Sequence, residues 1–214
     1  MVGIGQEQVV GVEEAISPPK EKMSYEEFLE WCDEDTWAEW VDGKVTVVSP
    51  AATRHQLIAG LLFQLMSIYA ETRNLGQVLS APFLMRLPDV PSGREPDLLF
   101  VAHAHLDRLK ETCLNGPADV VVEIVSADSV GRDRGDKFVE YEAAGVLEYW
   151  LIDPLRRRAE FYRRDAEGYY AQVFGGGEGL YQSEVIPGFW LKVEWLWQEP
   201  LPKVLDVLRE MELI

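Results

Sequence analysis

The stretch Val120-Val-Val-Glu123-Ile-Val125 constrains this chain more than any other. A β-branched run bounded by Gly116-Pro117 and by Ser126-Ala-Asp-Ser129 predicts a central, buried strand rather than a helix. Yet a carboxylate sits in its middle. An ionised Glu among valines costs several kcal/mol unless it is paired, hydrogen-bonded or bound to metal, so Glu123 needs a partner. Upstream, Glu95-Pro96-Asp97 opens a second apolar run, Leu98-Leu-Phe-Val101. Side by side, the two strands would bring Asp97 and Glu123 within reach of one divalent cation, Mg²⁺ or Mn²⁺. The spacing equally admits a strand-edge Asp in solvent and a Glu neutralised by a nearby Lys or Arg.

With 214 residues and 47% hydrophobic content the chain is long enough for one well-buried domain. Residues 1–22 read as a flexible N-terminal tail and 23–214 as a single domain. The net charge of −17 argues against non-specific coating of nucleic acid, which needs surplus Lys and Arg, and against attraction to an anionic membrane. It leaves room for a nuclease, whose metal and local arginines serve a few phosphates. Cys32 and Cys113 match no metal spacing and are expected as reduced thiols. The N-terminal sequence has no basic segment followed by an apolar core, and no run of eighteen apolar residues occurs, so a soluble, cytoplasmic protein is expected.

Ser24 with Glu27 three positions later forms a capping-box pattern before a short helix. Residues 37–48 read as a β-hairpin with Asp42-Gly43 at the turn and Glu39 on its first strand. From Arg54 to Arg73, Leu57, Ile58, Leu61, Leu62, Leu65, Ile68 and Tyr69 make one broad helical stripe, with His55 in the first turn. Gln77 to Leu87 alternates like a strand, and Pro88, Pro91 and Gly93 mark a loop. His103 and His105, lacking an acid at suitable spacing, read as loop residues. Val130 to Ala144 is helical with Gly145 as its stop, and the helical wheel turns Lys137 inward with Tyr141. A strand ending at Asp153-Pro154 leads into an antiparallel meander. Arg156, Arg157, Arg158, Arg163 and Arg164 form the only basic cluster, explained as well by a solvated hairpin face as by phosphate contact. Neither G-x-G-x-x-G nor a P-loop lysine motif occurs.

From residue 54 the order helix, strand, strand, strand, helix, strand, with carboxylates at the second and third strands, resembles the PD-(D/E)XK nuclease superfamily. A finer set resembles its Uma-type family of restriction-endonuclease-like proteins. That set is Glu39-x-x-Asp42-Gly43, His55-Gln56, Pro96-Asp97, Val122-Glu123-Ile-Val-Ser126, Asp133-x-x-x-Lys137-x-x-x-Tyr141 and Gly145-Val-x-Glu-Tyr-Trp-Leu-Ile-Asp153-Pro154. The resemblance implies an α/β (α+β) fold: a restriction-endonuclease-like αβββαβ core with a mixed central sheet and added N- and C-terminal β-hairpins. One departure stands out. The superfamily's lysine usually follows the second acid by two residues on the same strand face, and Val125 occupies that position. Lys137 could return an ammonium from the next helix.

The activity implied is metal-dependent hydrolysis of DNA phosphodiester bonds. Asp97, Glu123 and the Ile124 main-chain carbonyl would hold Mg²⁺ or Mn²⁺, and Lys137 would orient or deprotonate the attacking water. Glu39 would add a second-metal or outer contact, His55 would touch phosphate or water, and Tyr141 would support the site. DNA is the expected partner, and a homodimer the expected assembly. Two rivals stay open: an inactive nuclease-fold binding or assembly module, and a structural domain with a buried Glu123–Lys137 ion pair.

Overall fold

The computed structural model describes residues 18–32, 36, 38–47, 52–126 and 129–214. Most of the stretch read as a tail, and the Trp37 and Val48 ends of the expected hairpin, lie outside these residues.

Local signals account for the first elements. Ser24 caps α1 (Tyr25–Trp31): its hydroxyl accepts the Glu27 N–H while the Glu27 carboxylate accepts the Ser24 N–H. Two orphan donors are thereby satisfied. Strands β1 (Ala38–Val41) and β2 (Lys44–Val47) are joined by Asp42 (φ 45°) and Gly43 (φ 84°), the pair of positive φ values that a tight hairpin turn requires. Helix α2 (Thr53–Thr72) buries Ile58, Leu61, Leu62, Leu65, Met66 and Tyr69, whereas Leu57, expected in the stripe, faces outward.

The stretch expected as one strand is two, β3 (Gly76–Ser80) and β4 (Leu84–Leu87), which enter different sheets. They part at Ala81-Pro82, where proline has no N–H to continue a ladder. The expected loop after Leu87 contains a further short strand, β5 (Ser92–Arg94), clamped between β1 and β4. Pairing from both sides overrides its poor strand composition. Next come β6 (Leu98–Ala102), a 3₁₀ turn at His103–Arg108, β7 (Cys113–Asn115) and β8 (Val120–Ile124). The expected helix from Val130 is not uniform. Its first part winds as a π turn over Arg132–Asp136, where the Lys137 N–H reaches back to the Arg132 carbonyl, before α3 (Lys137–Ala144) ends at Gly145 (φ 92°).

The meander follows as β9 (Glu148–Asp153), β10 (Arg158–Arg164) and β11 (Tyr170–Gly176). A hairpin of β12 (Leu180–Gln182) and β13 (Trp190–Lys192) and a last helix, α4 (Val204–Glu210), complete the chain.

The central sheet runs β11-β10-β9-β8-β6-β3, with β8 and β9 parallel and its other pairs antiparallel. A second sheet runs β2-β1-β5-β4-β7. One face of the central sheet, with Leu98, Phe100, Val120, Val122, Trp150 and Ile152, packs on α2 and the C-terminal segment. The other, with Leu99, Val101, Val121, Val125, Tyr149 and Leu151, packs on α3 and on Met85, Leu87 and Leu114 of the second sheet. With both faces covered, β8 is apolar almost throughout rather than alternating.

Candidate active site

The register fixes where the two acids point. Leu98 pairs with Val122 across the antiparallel β6–β8 ladder, so the next positions along, Asp97 and Glu123, face each other. By alternation both share the face of Leu99, Val121 and Val125, the one α3 covers. The Asp97 Oδ2 accepts the Ile124 N–H at 2.6 Å, tying one carboxylate to the neighbouring strand.

Lys137 meets Glu123 from the first turn of α3. Its Nζ lies 2.9 Å from Glu123 Oε1, 3.1 Å from Glu39 Oε1 and 3.3 Å from Asp133 Oδ1. Val125, where the superfamily's lysine would stand, is packed in the core. Tyr141, one turn further, donates its hydroxyl to Glu123 Oε1 at 2.8 Å. Glu39 is also gripped by Arg94 (Nη1 to Oε2, 2.9 Å), whose remaining guanidinium nitrogens bind Glu140 at 2.9 and 2.7 Å. His55 Nε2 stands 3.1 Å from Asp97 Oδ2, and its Nδ1 is buried without a hydrogen bond.

Carboxyls outnumber cations here. Among the described residues, Glu39, Glu95, Asp97, Glu123, Asp133 and Glu140 surround only Lys137, Arg94 and a titratable His55. Burial pushes the Glu123 carboxyl up to about 8; Lys137 pulls it down, while Asp133, Asp97 and Glu39 add to the rise. Burial, then Glu39, lifts Glu95 to about 7. Burial would also raise Glu39, but Lys137 and Arg94 outweigh it and hold that group below the usual carboxylate range. The crowding thus bears hardest on Glu123 and least on Glu39. Lys137 is depressed by burial but held well above its ordinary value by Glu123, Glu39 and Asp133. His55 is lowered by burial and raised by more through Asp97 and the Ile124 main chain.

The donor set suits a hard divalent cation. Asp97 Oδ1 and Glu123 Oε2 carry no hydrogen bond among the described residues, and the Ile124 main chain lies beside them. A cation would relieve the crowding that, together with burial, raises Glu123. Among the described residues no three His, Cys, Asp or Glu side chains are grouped to hold one ion. The fit is thus to two carboxylates and a carbonyl, since both Glu39 oxygens are engaged by Lys137 and Arg94.

Elsewhere the expectations need correction. His105 does have an acid: its Nδ1 lies 2.7 Å from Asp119 Oδ1, while Asp119 Oδ2 accepts the Ala102 N–H. Asp119 immediately precedes β8, beyond the sequence spacing that suggested a lone loop histidine. In the basic cluster, Arg156 pairs with Asp153, Arg158 with Glu160, and Arg163 with Glu184, as on a hairpin face rather than a phosphate groove. Sequence reading gave no role to Arg94, which sits in the stretch taken for a loop, or to Asp133, although its i,i+4 spacing to Lys137 is an ion-pair signal.

Helix α2, the central-sheet strands β3, β6 and β8, helix α3 and strand β9, with acids converging at β6 and β8, define the restriction-endonuclease-like class of nuclease folds. A family model described as "Uma2: Putative restriction endonuclease" matches residues 25–194, and the chain belongs to that family. Among solved structures, a "putative nuclease belonging to DUF820" from Anabaena variabilis ATCC 29413 superposes with a TM-score of 0.69 at 16% identity, over 82% of this chain and 97% of that one. That likeness carries the fold. No curated protein matches the chain. No helix among the described residues is long and apolar enough to cross a membrane.

Proposed function

We propose that this protein is a metal-dependent endonuclease that hydrolyses DNA phosphodiester bonds at the Asp97–Glu123–Lys137 cluster. The observation that carries the reading is the opposition of Asp97 and Glu123 on adjacent strands, each with an unengaged oxygen, beside a buried ammonium. Asp97, Glu123 and the Ile124 carbonyl would hold Mg²⁺ or Mn²⁺, which supplies an acidified water and positive charge beside a phosphate.

The chain's own residues divide the remaining work. Lys137, kept protonated by its carboxylates, offsets negative charge developing on the phosphate and donates hydrogen bonds that orient the attacking water. It is a poor base in this setting, so the expectation that it deprotonates water is replaced by a positioning and electrostatic role. Glu39 and Asp133 hold the ammonium, Arg94 holds Glu39, and Tyr141 holds Glu123. His55 steadies the Asp97 carboxylate at the mouth of the site.

Cleavage of supercoiled plasmid with Mg²⁺ tests the reading. Asp97→Asn, which keeps the size of the side chain, is expected to abolish cutting while the protein stays folded. Equal cutting by wild type and variant would sink it. A nuclease fold kept as a binding module is favoured by one observation, the engagement of Lys137 and most of the arginine cluster by the protein's own acids. Calorimetric titration with Mn²⁺ separates the two, since the catalytic reading requires binding that Asp97→Asn loses.

A further inference from the structure

Gly60 lies in the interior of α2, where glycine costs about 1 kcal/mol relative to alanine. No tight packing demands it, because a Cβ there would meet nothing within 4 Å. What the missing side chain leaves open is a pocket of about 150 Å³, walled by Gln56, Gly60 and Phe63 of α2, by Ser80 at the end of β3 and Ala81 after it, and by Asp97. Asp97 therefore belongs both to the proposed metal site and to this pocket, and the Asp97 carboxylate is also contacted by His55.

The size and lining select the occupant. A cavity of about 150 Å³ is enough to hold a single six-membered ring. Phe63 is half-buried against the core and belongs to none of the aromatic pairs among the described residues, leaving its ring available for stacking. The Gln56 amide can donate and accept at a heterocycle's edge, as can the Ser80 hydroxyl. Charge points the same way. A chain of net charge −17, whose Arg156, Arg158 and Arg163 are paired with its own acids, draws little affinity from phosphates. Stacking of a base makes up such a deficit without positive charge.

We infer that this pocket takes an unpaired nucleobase of the substrate strand, next to the phosphodiester at Asp97, so that the substrate class is DNA with a single-stranded or extrahelical nucleotide at the cut. In a duplex the base cannot reach the pocket without leaving its stack. The inference rests on the nuclease reading for its substrate, but its test needs no turnover.

Fluorescence anisotropy in Ca²⁺ would compare a short labelled single-stranded DNA with an abasic strand of equal length, using the full chain and Gly60→Leu. Leucine fills open space and favours helix, and a thermal melt checks that the variant is folded; Gly60→Ala serves as a milder second variant. The wild type should prefer the base-containing strand by about tenfold, the scale of one base–aromatic stack. Gly60→Leu should lose that preference while binding the abasic strand as before, with Gly60→Ala between. Equal wild-type affinity for the two strands, or an unchanged preference in folded Gly60→Leu, would overturn the inference. A base preference that Gly60→Leu removes upholds it even in a protein that cuts no plasmid, which separates its fate from that of the catalytic reading.

Discussion

Lys137 serves two ends that substitutions can tell apart. Its ammonium neutralises Glu39, Glu123 and Asp133 in a buried setting, so Lys137→Ala strands three carboxylates. Urea denaturation should register a loss of about 3–5 kcal/mol, the usual cost of breaking a buried pair from one side. Asp97 lies at the mouth of the site with its side chain 20% exposed, and Asp97→Asn should change stability by under about 1 kcal/mol. Tyr141→Phe removes a single hydrogen bond to Glu123 and should cost about 1 kcal/mol. Sequence showed Lys137 because a helical wheel fixes where its side chain points. Arg94 was hidden, since its importance arises from β5 lying between β1 and β4, a long-range pairing that no local pattern encodes.

Strand β9 works as a bracket for the C-terminal segment through Glu148. This fully buried carboxylate accepts from Trp150 Nε1, Tyr181 Oη, Ser183 Oγ and the Glu184 and Val185 amides. It thereby docks the β12 hairpin and the loop after it onto the face opposite α3. Glu148→Ala would leave those donors dry and unsatisfied, and should destabilise by about 3 kcal/mol or more in chemical denaturation. Loss of near-ultraviolet dichroism from the stacked Phe161–Tyr181 pair and the edge-to-face Trp150–Tyr181 pair should accompany it. Elements with a strong period or cap signal, such as α1, α2, the β1–β2 hairpin and β8, were legible in the sequence. The split between β3 and β4 was not, because both halves carry strand-like residues and only the sheet each joins tells them apart.

At the scale of the molecule, surplus negative charge is managed by pairing on strands β9 and β10 of the central sheet. Arg134 bridges Asp153, at the end of β9, and Glu160, on β10. Burial would raise both acids, but backbone and arginine contacts hold Asp153 below its usual range, and Arg158 and Arg134 do so for Glu160. A folded-state value below the unfolded one adds stability above the ordinary carboxylate range and loses it as pH falls through the depressed values. Arg134→Met should therefore lower the melting temperature at neutral pH by about 2–4 °C, discounted toward the low end for solvent screening. The gap between variant and wild type should close on acidification below about pH 4.

The π turn at Arg132–Asp136 carries one more consequence. Such a turn holds one residue beyond what a continuous α-helical path would need. A homologue shorter by a single position between Ser129 and Lys137 could trace the same path as plain α-helix, with its amine still turned toward the acids. The turn is thus a place where the chain can change length by one residue while the approach of Lys137 to Glu39, Glu123 and Asp133 is kept.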